Sequence, residues 1–511
     1  MTRLPRLLAP VAALALALTA CTAGSSTAPA PSSAGSGSGT AAGPSSDRIT
    51  IGLVLEPTSL DFTTVSGAAI QQALMYNVYE SLVKVDDTGK IVPGLATSWK
   101  LSEDRKTYTF ELAPNAKFSN GEAFTAEDAV FSINRTKTDW KNSLKAAMDV
   151  VAEAKALSPT QLQVTLTRPS NDWLYRMTTH LGAMMDPSGV ADLANKPIGT
   201  GPYTLTSWTR GDSIVLSRNE SYWGTKPYYQ SVTLKYIKDT SAMNNALLSG
   251  QINVIGAMQA PEAMAQFTGN AKYQVIEGST NGEVLLSFNN ANEFFKDKRA
   301  RQAIRQAIDH KALMDTCFAG KGTLIGSLVP PTDPWYEDLT GVTPFDKAKA
   351  QQLLTESGRA GQTLRLRVPN LPYAVQCGQV VKADLEAVGL KVTYETLEFA
   401  QWIPQVFSGG DFDMSIVAHV EPRDMAAVFG NPTYYTKYAT PELLALLKAA
   451  DQGTEQEYVD TMKKAARLIA EDAAADMLFL LPNLVVADAN ITGLSKNAAG
   501  VALDLSRLGK R

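Results

Sequence analysis

The segment at 93–135 constrains the fold more than any other part of this 511-residue chain. At 107–112, apolar and polar residues alternate, as a strand with one buried face requires. A turn-forming Ser-Asn-Gly follows at 119–121, and Thr125 then stands three residues before Asp128 in the pattern of a capping box. The segment therefore predicts a strand, a turn and a capped helix in one ordered unit.

Periodicity predicts further elements along the chain. Apolar spacing predicts one helix at 70–82 and another at 298–315. Two alternating segments around a short turn predict a hairpin at 203–218, and the run at 364–396 predicts a βαβ unit with parallel strands. The apolar run at 478–486 predicts a buried strand late in the chain.

An ordered series of residues carries a family resemblance. The series is Gly94, Leu95, Ala96, Ser98, Trp99, Tyr108, Thr109, Phe110, Phe118, Gly121, Ala126, Glu127, Asp128, Phe131, Ser132 and Arg135. It resembles the hallmark segment of family 5 extracytoplasmic solute-binding proteins, the oligopeptide-, dipeptide- and nickel-binding components of ABC importers. Gly-Thr-Gly-Pro-Tyr at 199–203, followed by Tyr222 and Trp223, is a second motif similar to that family.

The resemblance implies an α/β fold of the periplasmic-binding-protein type, with hinge-linked lobes around a ligand cleft and an additional inserted domain. A chain of 511 residues with 45% hydrophobic residues can bury a large core and must divide into more than one lobe or domain. We predict lobe I at 47–85, 196–286 and 486–511, the inserted domain at 86–195, and lobe II at 287–485. More than one crossing between the lobes would create the hinge strands on which closure depends.

The amino-terminal segment predicts export and a lipid anchor. Two arginines precede an apolar run at 7–20, which is too short to span a bilayer and fits a secretory signal peptide at 1–20. Leu-Thr-Ala before Cys21 resembles a bacterial lipobox and implies acylation of the Cys21 thiol; an ordinary signal peptide is the alternative. Residues 21–46 are almost entirely Ser, Gly, Ala, Thr and Pro, which predicts a flexible tether. We therefore expect the protein to be lipid-anchored on the extracytoplasmic face of the cell membrane.

Charge and motifs argue against several classes of function. The formal net charge is −4 and no basic stretch is present, so nucleic acid is not an expected partner. The chain has no GxSxG, HExxH, Walker or CxxC motif, and its three histidines offer little for a catalytic or metal centre. The glycines at 199–202 precede a hairpin and not a helix, so they do not predict a nucleotide site. We predict a binding protein, not an enzyme, with no cofactor and no metal.

Candidate ligand-binding residues follow two predicted strands of lobe II. In open α/β sheets, ligands gather outside the carboxyl ends of the strands. Trp402 follows one of these strands, and His419, Glu421 and Asp424 follow the next. The resemblance implies that the tryptophan and one acid face the ligand, and that the acid pairs with the α-amino group of a peptide. The alignment leaves Glu421 and Asp424 both open, and the structural alternatives are a packed tryptophan and solvated loop acids.

Small residues mark a candidate site in lobe I. Ser66, Gly67 and Ala68 lie where the resembled family places a binding strand or loop. Their size permits close approach of an extended ligand to the backbone. A simple helix-entry turn is the alternative interpretation of the same residues.

Two cysteines remain after Cys21 in the exported part of the chain. Cys317 and Cys377 both fall in predicted lobe II. In an oxidising compartment they either form a disulfide or remain as two buried free thiols. Spacing in sequence does not show whether their Cα atoms are close, so both states stay open.

Together these features predict the substrate-binding component of an ABC importer that captures short peptides. Such a protein would hold a peptide as an added strand and hand it to a membrane permease driven by an ATPase; these two partners come from the resemblance alone. We expect a monomer. The unusual loop at 419–424 keeps open a non-peptide ligand, such as a nickel chelate, an opine or an oligosaccharide. A surface receptor without a transport role is a further alternative.

Overall fold

The computed structural model describes residues 47–65, 67–141 and 143–511. The predicted signal peptide, the tether with Cys21, and Ser66 lie outside the described residues, so the predictions for them stay predictions.

The described residues form eighteen strands. They are β1 (Arg48–Leu53), β2 (Val83–Val85), β3 (Ile91–Pro93), β4 (Ala96–Leu101), β5 (Thr107–Leu112), β6 (Val151–Ser158), β7 (Gln161–Leu166), β8 (Tyr203–Thr209), β9 (Ser213–Arg218), β10 (Ser231–Tyr236), β11 (Val254–Ile255), β12 (Tyr273–Phe288), β13 (Thr363–Pro369), β14 (Lys391–Leu397), β15 (Met414–His419), β16 (Ala475–Asp488), β17 (Ile491–Thr492) and β18 (Gly509–Lys510).

Twelve α-helices lie in the same described ranges. They are α1 (Ala68–Leu74), α2 (Ala126–Thr138), α3 (Trp173–Arg176), α4 (Thr240–Leu248), α5 (Lys298–Ala307), α6 (His310–Cys317), α7 (Lys347–Glu356), α8 (Pro372–Ala387), α9 (Phe399–Trp402), α10 (Met425–Phe429), α11 (Pro441–Gln452) and α12 (Glu455–Glu471). Shorter helical turns are Ser143–Met148, His180–Gly182, Pro187–Asp192, Pro261–Gln266, Ile403–Ser408 and Leu505–Arg507. None of the described helices has the length and apolar character that crossing a membrane requires.

Ten strands form one large sheet, in the order β14-β13-β15-β12-β16-β11-β1-β10-β9-β8. We call the β1 and β8–β11 side lobe I, and the β13–β15 side lobe II. The predicted hairpin and βαβ unit are confirmed, because β8 pairs antiparallel with β9 and β13 pairs parallel with β14. The α/β fold of two lobes agrees with the prediction, whereas the exact domain boundaries given above stay predictions.

Two long strands, β12 and β16, connect the lobes. They pair antiparallel with each other, while β12 also pairs with β15 in lobe II and β16 also pairs with β11 in lobe I. Their register shifts between Ser279 and Glu283, opposite Pro482 and Leu480. Proline has no N–H to donate, and a shifted register interrupts the ladder. This interruption lies where the chain passes between the lobes and marks the hinge.

The inserted domain has its own sheet, in the order β4-β5-β7-β6. Tyr108, Phe110 and Leu112 on β5 are buried, which confirms the predicted one-sided strand. The capping box is also confirmed, because the Thr125 side chain faces the backbone of Asp128 and the Asp128 carboxylate accepts from the Thr125 N–H at 2.8 Å. The hallmark segment therefore builds a sheet with a capped helix beside it.

The single helix predicted at 70–82 is wrong. The helix α1 ends at Leu74, and Tyr76 has a φ of 64°. The carbonyls of Asn77 and Val78 accept hydrogen bonds from the N–H groups of Tyr203 and Gly201, at 2.8 and 3.0 Å. These carbonyls belong to a tertiary contact with the second family-like motif, so they are not used to continue the helix.

The helix predicted at 298–315 is two helices. Ile308 is extended between α5 and α6, and Asp309 caps α6 by accepting from the Ala312 N–H at 3.0 Å. Aspartate favours the cap over the helix interior, so the local sequence supplies the break. Further along α6, Cys317 is joined by a disulfide to Cys377 on α8, with Cα atoms 4.9 Å apart.

Candidate ligand-binding site

A cavity of about 310 Å³ lies between the two lobes, against the hinge. Its size is at the lower end of the range for small-molecule sites, roughly 300 to 1,000 Å³. Both hinge segments line it, at 280–282 on β12 and at 481–483 on β16. Most of the wall is apolar, from Leu53, Leu55, Met258, Leu371, Tyr373, Phe399 and Val417. Side-chain amides interrupt it at Gln72, Asn281 and Asn483.

The candidate residues of lobe I meet the cavity in part. Ala68 lines the cavity, and Gly67 is the residue that precedes α1. The φ of Gly67 is 141°, a conformation that favours glycine. Ser66 lies outside the described residues, so its predicted role stays a prediction. Gly67 and Ala68 thus begin the helix α1, and Ala68 also forms part of the cavity wall, so the two interpretations of this segment do not exclude each other.

Trp402 lies behind the cavity wall. It is 2% exposed, and its indole N–H donates to the Ser415 hydroxyl at 3.0 Å. Its ring stacks on Phe399, with centroids 5.8 Å apart and planes 13° apart. Phe399 lines the cavity, whereas Trp402 is not among the lining residues. Of the stacked pair, Phe399 is therefore the ring that faces the cavity, which Tyr373 and Phe318 also line, and Trp402 packs behind it.

His419 and Asp424 are tied to each other inside lobe II. The His419 Nδ1 lies 3.2 Å from the Asp424 carboxylate, and its Nε2 lies 2.8 Å from the Tyr435 hydroxyl. The His419 and Tyr435 rings stack with planes 12° apart, and the Tyr435 hydroxyl contacts Ser287 on β12. All four side chains are buried. This chain of polar contacts fixes the loop that begins where β15 ends.

Glu421 bridges the lobes. Its carboxylate accepts a hydrogen bond from the side-chain amide of Gln71 on α1. Ala68 and Gln72, on the same helix, and Val420 line one edge of the cavity, whereas Gln71 and Glu421 do not line it, so this contact lies directly behind that edge. Burial raises the pKa of Glu421 to about 7, and the negative charge of Asp424 adds to the rise.

Further carboxyl groups surround this edge. Glu283 on β12 is 3% exposed, and its Oε2 has no hydrogen-bond partner in the part of the chain that the structure describes. Burial raises the pKa of Glu283 well above its usual value, with repulsion from Asp424 and Asp333. Burial also raises the pKa of Asp333 to about 6, against the opposing charge of Arg423.

Two arginines approach the same carboxyl groups without neutralising them all. Arg423 stacks on the Tyr175 ring, with its guanidinium carbon 3.7 Å from the centroid, and its Nε is 4.0 Å from Asp333. Arg176 of the inserted domain pairs with Asp172 at 2.7 Å and donates to the Arg423 carbonyl at 2.7 Å. The edge therefore has more carboxyl groups than partners, and an added cation would be stabilised there. Within the described ranges, no three His, Cys, Asp or Glu side chains are grouped to hold a metal ion.

The lobes also touch on the side of the inserted domain. The Asp451 carboxylate accepts from the Ser170 hydroxyl at 2.7 Å and from the Asp172 N–H at 3.1 Å, and it pairs with Arg168. The Asp451 carbonyl accepts from the Asn171 N–H at 2.9 Å. One acid at the end of α11 thus joins the inserted domain to lobe II.

Several site residues escaped the sequence reasoning: Gln71, Glu283, Tyr373 and Phe399. Glu283 carried a signal, because it is a charged residue directly before an apolar run at 284–286 in a strand. A buried strand with an acid in it is unusual enough to indicate function. The other three have no such local signal.

The chain matches a known protein family over most of its length. Residues 90–440 match the family model "Bacterial extracellular solute-binding proteins, family 5 Middle". Protein XP55 of Streptomyces lividans is 30% identical over 434 residues, 78% of each chain. The nickel-binding periplasmic protein of Escherichia coli (strain K12) is 30% identical over 346 residues, 62% of this chain and 65% of its own length.

A solved structure matches the fold across most of the chain. It is the ABC transporter-associated periplasmic binding protein DppA from Helicobacter pylori, in complex with the peptide STSA. The TM-score is 0.82 with 21% sequence identity, and the match covers 91% of this chain and 98% of that chain. At this identity the likeness establishes the fold.

Proposed function

The chain belongs to the bacterial extracellular solute-binding proteins of family 5, and from this premise we propose that it is the substrate-binding component of an ABC importer for short peptides. The observation that carries the proposal is the interlobe cavity with a group of carboxyl side chains behind one edge of its wall, one of which, Glu283, has an oxygen without a hydrogen-bond partner in the described residues. A free peptide brings an ammonium group, backbone amides and variable side chains. Each has a counterpart in the site.

The ammonium group of the peptide would lie at Glu421. This carboxylate directly follows Val420, which lines the cavity, and it already accepts one hydrogen bond across the cleft, from Gln71. Asp424 is occupied by His419, so it supports the loop and adds negative charge at short range. Of the two acids left open by the sequence, Glu421 is therefore our choice for the direct partner. A buried ion pair of this kind is favourable only when both groups are also hydrogen-bonded.

The rest of the peptide would meet amides and apolar walls. Gln72 offers a donor and an acceptor for a peptide backbone, and Asn281 and Asn483, whose amide nitrogens already donate to backbone carbonyls, offer their side-chain oxygens as acceptors. The apolar wall, with Tyr373 and Phe399, accepts side chains without requiring a particular hydrogen bond. A cavity of about 310 Å³ suits peptides of two or three residues better than longer ones.

The location and partners of the protein extend the same proposal. Acylation of Cys21 would hold the protein on the extracytoplasmic face of the membrane, with 21–46 as tether. A monomer would then present its closed lobes to a permease driven by an ATPase. The lipobox-like residues before Cys21 and the extracytoplasmic family support this arrangement. Replacing Cys21 by serine should move the protein from the membrane fraction to the medium or periplasm.

The ligand can be identified by native mass spectrometry of residues 47–511, purified gently and then denatured to release what is bound. A series of masses resolved as di- and tripeptides is the expected result. A single non-peptide mass, such as an opine, an oligosaccharide or a nickel chelate, would overturn the peptide assignment. The Glu421→Gln variant is the matched control, because it should retain less ligand than the wild-type chain.

A further inference from the structure

We propose that Phe399 is a gate that sets the length of ligand accepted, a proposal that rests on the proposed function and specifies its substrate class. The gate separates the interlobe cavity, which we call the inner chamber, from a second cavity of about 320 Å³, which we call the outer chamber. Four residues line both chambers: Val54, Leu55, Leu371 and Phe399. Because these side chains are shared walls, they divide what would otherwise be one continuous cleft.

The four gate residues come from three strand ends. Val54 and Leu55 follow β1 in lobe I, whereas Leu371 follows β13 and Phe399 follows β14 in lobe II. Parallel strands such as β13 and β14 place the residues after their carboxyl ends beside each other. The four gate residues therefore come together when the lobes meet. Val54 and Leu55 approach from lobe I, and Leu371 and Phe399 approach from lobe II.

Phe399 is the largest of the four and is held rigidly. Its ring lies parallel to the Trp402 ring, and Trp402 is fixed in turn by the hydrogen bond to Ser415. The backbone turn is closed by hydrogen bonds from the N–H groups of Gln401 and Trp402 to the Glu398 carbonyl, at 2.8 and 2.9 Å. Moving this half-buried ring aside would break its stack on Trp402 or shift the hydrogen-bonded turn that carries it, so it resists a ligand that extends past it.

The outer chamber differs in chemistry from the inner one. Glu56, Arg210, Lys238 and Glu398 line it, and Lys238 pairs across the lobes with Glu398 at 3.0 Å. Both members of this pair are more than half exposed, so the chamber is open to solvent. A ligand that fits within the inner chamber leaves this pair intact. A longer peptide would have to pass Phe399 and enter the charged chamber.

The test is a comparison of ligand-length profiles by isothermal titration calorimetry. Dialanine, trialanine, tetraalanine and pentaalanine with free termini are titrated into the wild-type chain and into Phe399→Ala. We expect the ratio of pentaalanine Kd to dialanine Kd to fall by at least about tenfold in Phe399→Ala. Phe407→Ala is the matched control. Its ring contacts Trp402 and Tyr435 in the same aromatic cluster and lines neither chamber, so the ratio should not change.

The outcomes separate the gate from the peptide assignment. An unchanged ratio in folded Phe399→Ala overturns the gate. If the wild-type chain binds no peptide, the proposed function fails, and the gate is then judged from native masses. A heavier recovered ligand in Phe399→Ala supports the gate, and an equal mass overturns it. Should Phe399→Ala fail to fold, Leu371→Ala opens the same wall from β13 and must show the same change.

Discussion

Gln71 and Glu421 meet across the interlobe cleft, where the Gln71 amide donates a hydrogen bond to the Glu421 carboxylate. The two residues are 350 positions apart and belong to opposite lobes. A carboxylate has room for several donors, so it can keep the Gln71 amide and still accept from a ligand ammonium group. With the proposed function, this contact would couple closure of the lobes to the charge of the bound ligand.

Replacing Glu421 by glutamine should weaken peptide binding at least about tenfold, or about 1.4 kcal/mol. The amide keeps the size of the side chain but removes the charge that would face the ammonium group. Titration calorimetry with a dipeptide and its amino-acetylated form checks the origin of the loss. Acetylation should weaken binding to the wild-type chain and have little effect in Glu421→Gln.

Asp424→Asn provides the comparison at the second acid. Because Asp424 contacts His419 and supports the loop, its replacement should weaken the acetylated and free dipeptides alike. Unchanged peptide affinity in both acid variants would contradict an ammonium site at this edge.

Peptide affinity should fall as the pH is lowered. Burial and the nearby Asp424 charge raise the pKa of Glu421 to about 7, so below this pH the carboxyl group of the unliganded protein holds a proton. A ligand ammonium group must then displace that proton, and affinity should fall by up to about tenfold per pH unit between about pH 7 and about pH 5.5. Calorimetry over this range measures the slope. Glu421→Gln should flatten it, and an equal slope in the variant would exclude Glu421 as the titrating partner.

The stability of the unliganded protein should show the opposite trend. The folded pKa of Glu421 is above the value of about 4.3 expected in the unfolded chain, so the folded state binds more protons between these two values. Its contribution to the free energy of unfolding is therefore present below about pH 4.3 and is lost progressively as the pH rises from there through about 7, by an amount on the order of 4 kcal/mol.

Denaturant unfolding of wild type and Glu421→Gln at about pH 5 and about pH 8 checks this sign. The advantage of wild type over variant should shrink at the higher pH. The difference between the two chains cancels the titration of other groups, including buried His180, whose pKa burial lowers to about 4. A wild-type advantage that grows with pH would contradict the raised pKa.

Replacing Asp451 by alanine should speed ligand release by about three- to tenfold. The substitution removes the acceptor for Ser170, Arg168 and the Asp172 N–H at the contact between the inserted domain and lobe II. The ion pair is partly exposed, so we discount its contribution and expect about 1 kcal/mol in total. Stopped-flow dissociation measures the rate. Asp460→Ala on α12 is the control, because Asp460 is exposed and accepts a hydrogen bond from Gln456 of its own helix. Equal rates of ligand release in the two variants would contradict a role of the Asp451 contact in holding the inserted domain and lobe II together.

Secondary structure was predicted correctly where it depends on residues that are close in sequence. The alternation on β5, the Thr125 and Asp128 capping box, and the βαβ unit were all predictable from the sequence. Each depends on residues within one turn, one strand or one crossover. Family resemblance added the two-lobed fold, which no local pattern contained.

The site itself was only partly predictable. The loop with His419, Glu421 and Asp424 was found because it follows the carboxyl end of a strand. Trp402 was assigned to the cavity wall by position, yet the structure places Phe399 there and Trp402 behind it. Phe399 and Trp402 are three positions apart in the short helix α9, so the orientation of this helix decides which of the two rings faces the cavity. The sequence does not show that orientation.

The sequence by itself determined the strand, turn and capped helix of the hallmark segment, because side-chain periodicity and caps act over a few residues. Only the tertiary structure decided that α1 stops at Leu74, where the chain near Gly201 takes the carbonyls that a longer helix would use. It alone decided which distant groups face each other, such as Gln71 with Glu421. The physical reason is the same in both cases: hydrogen bonds between residues far apart in sequence form only after the chain has folded, within lobe I for α1 and between the lobes for Gln71 and Glu421.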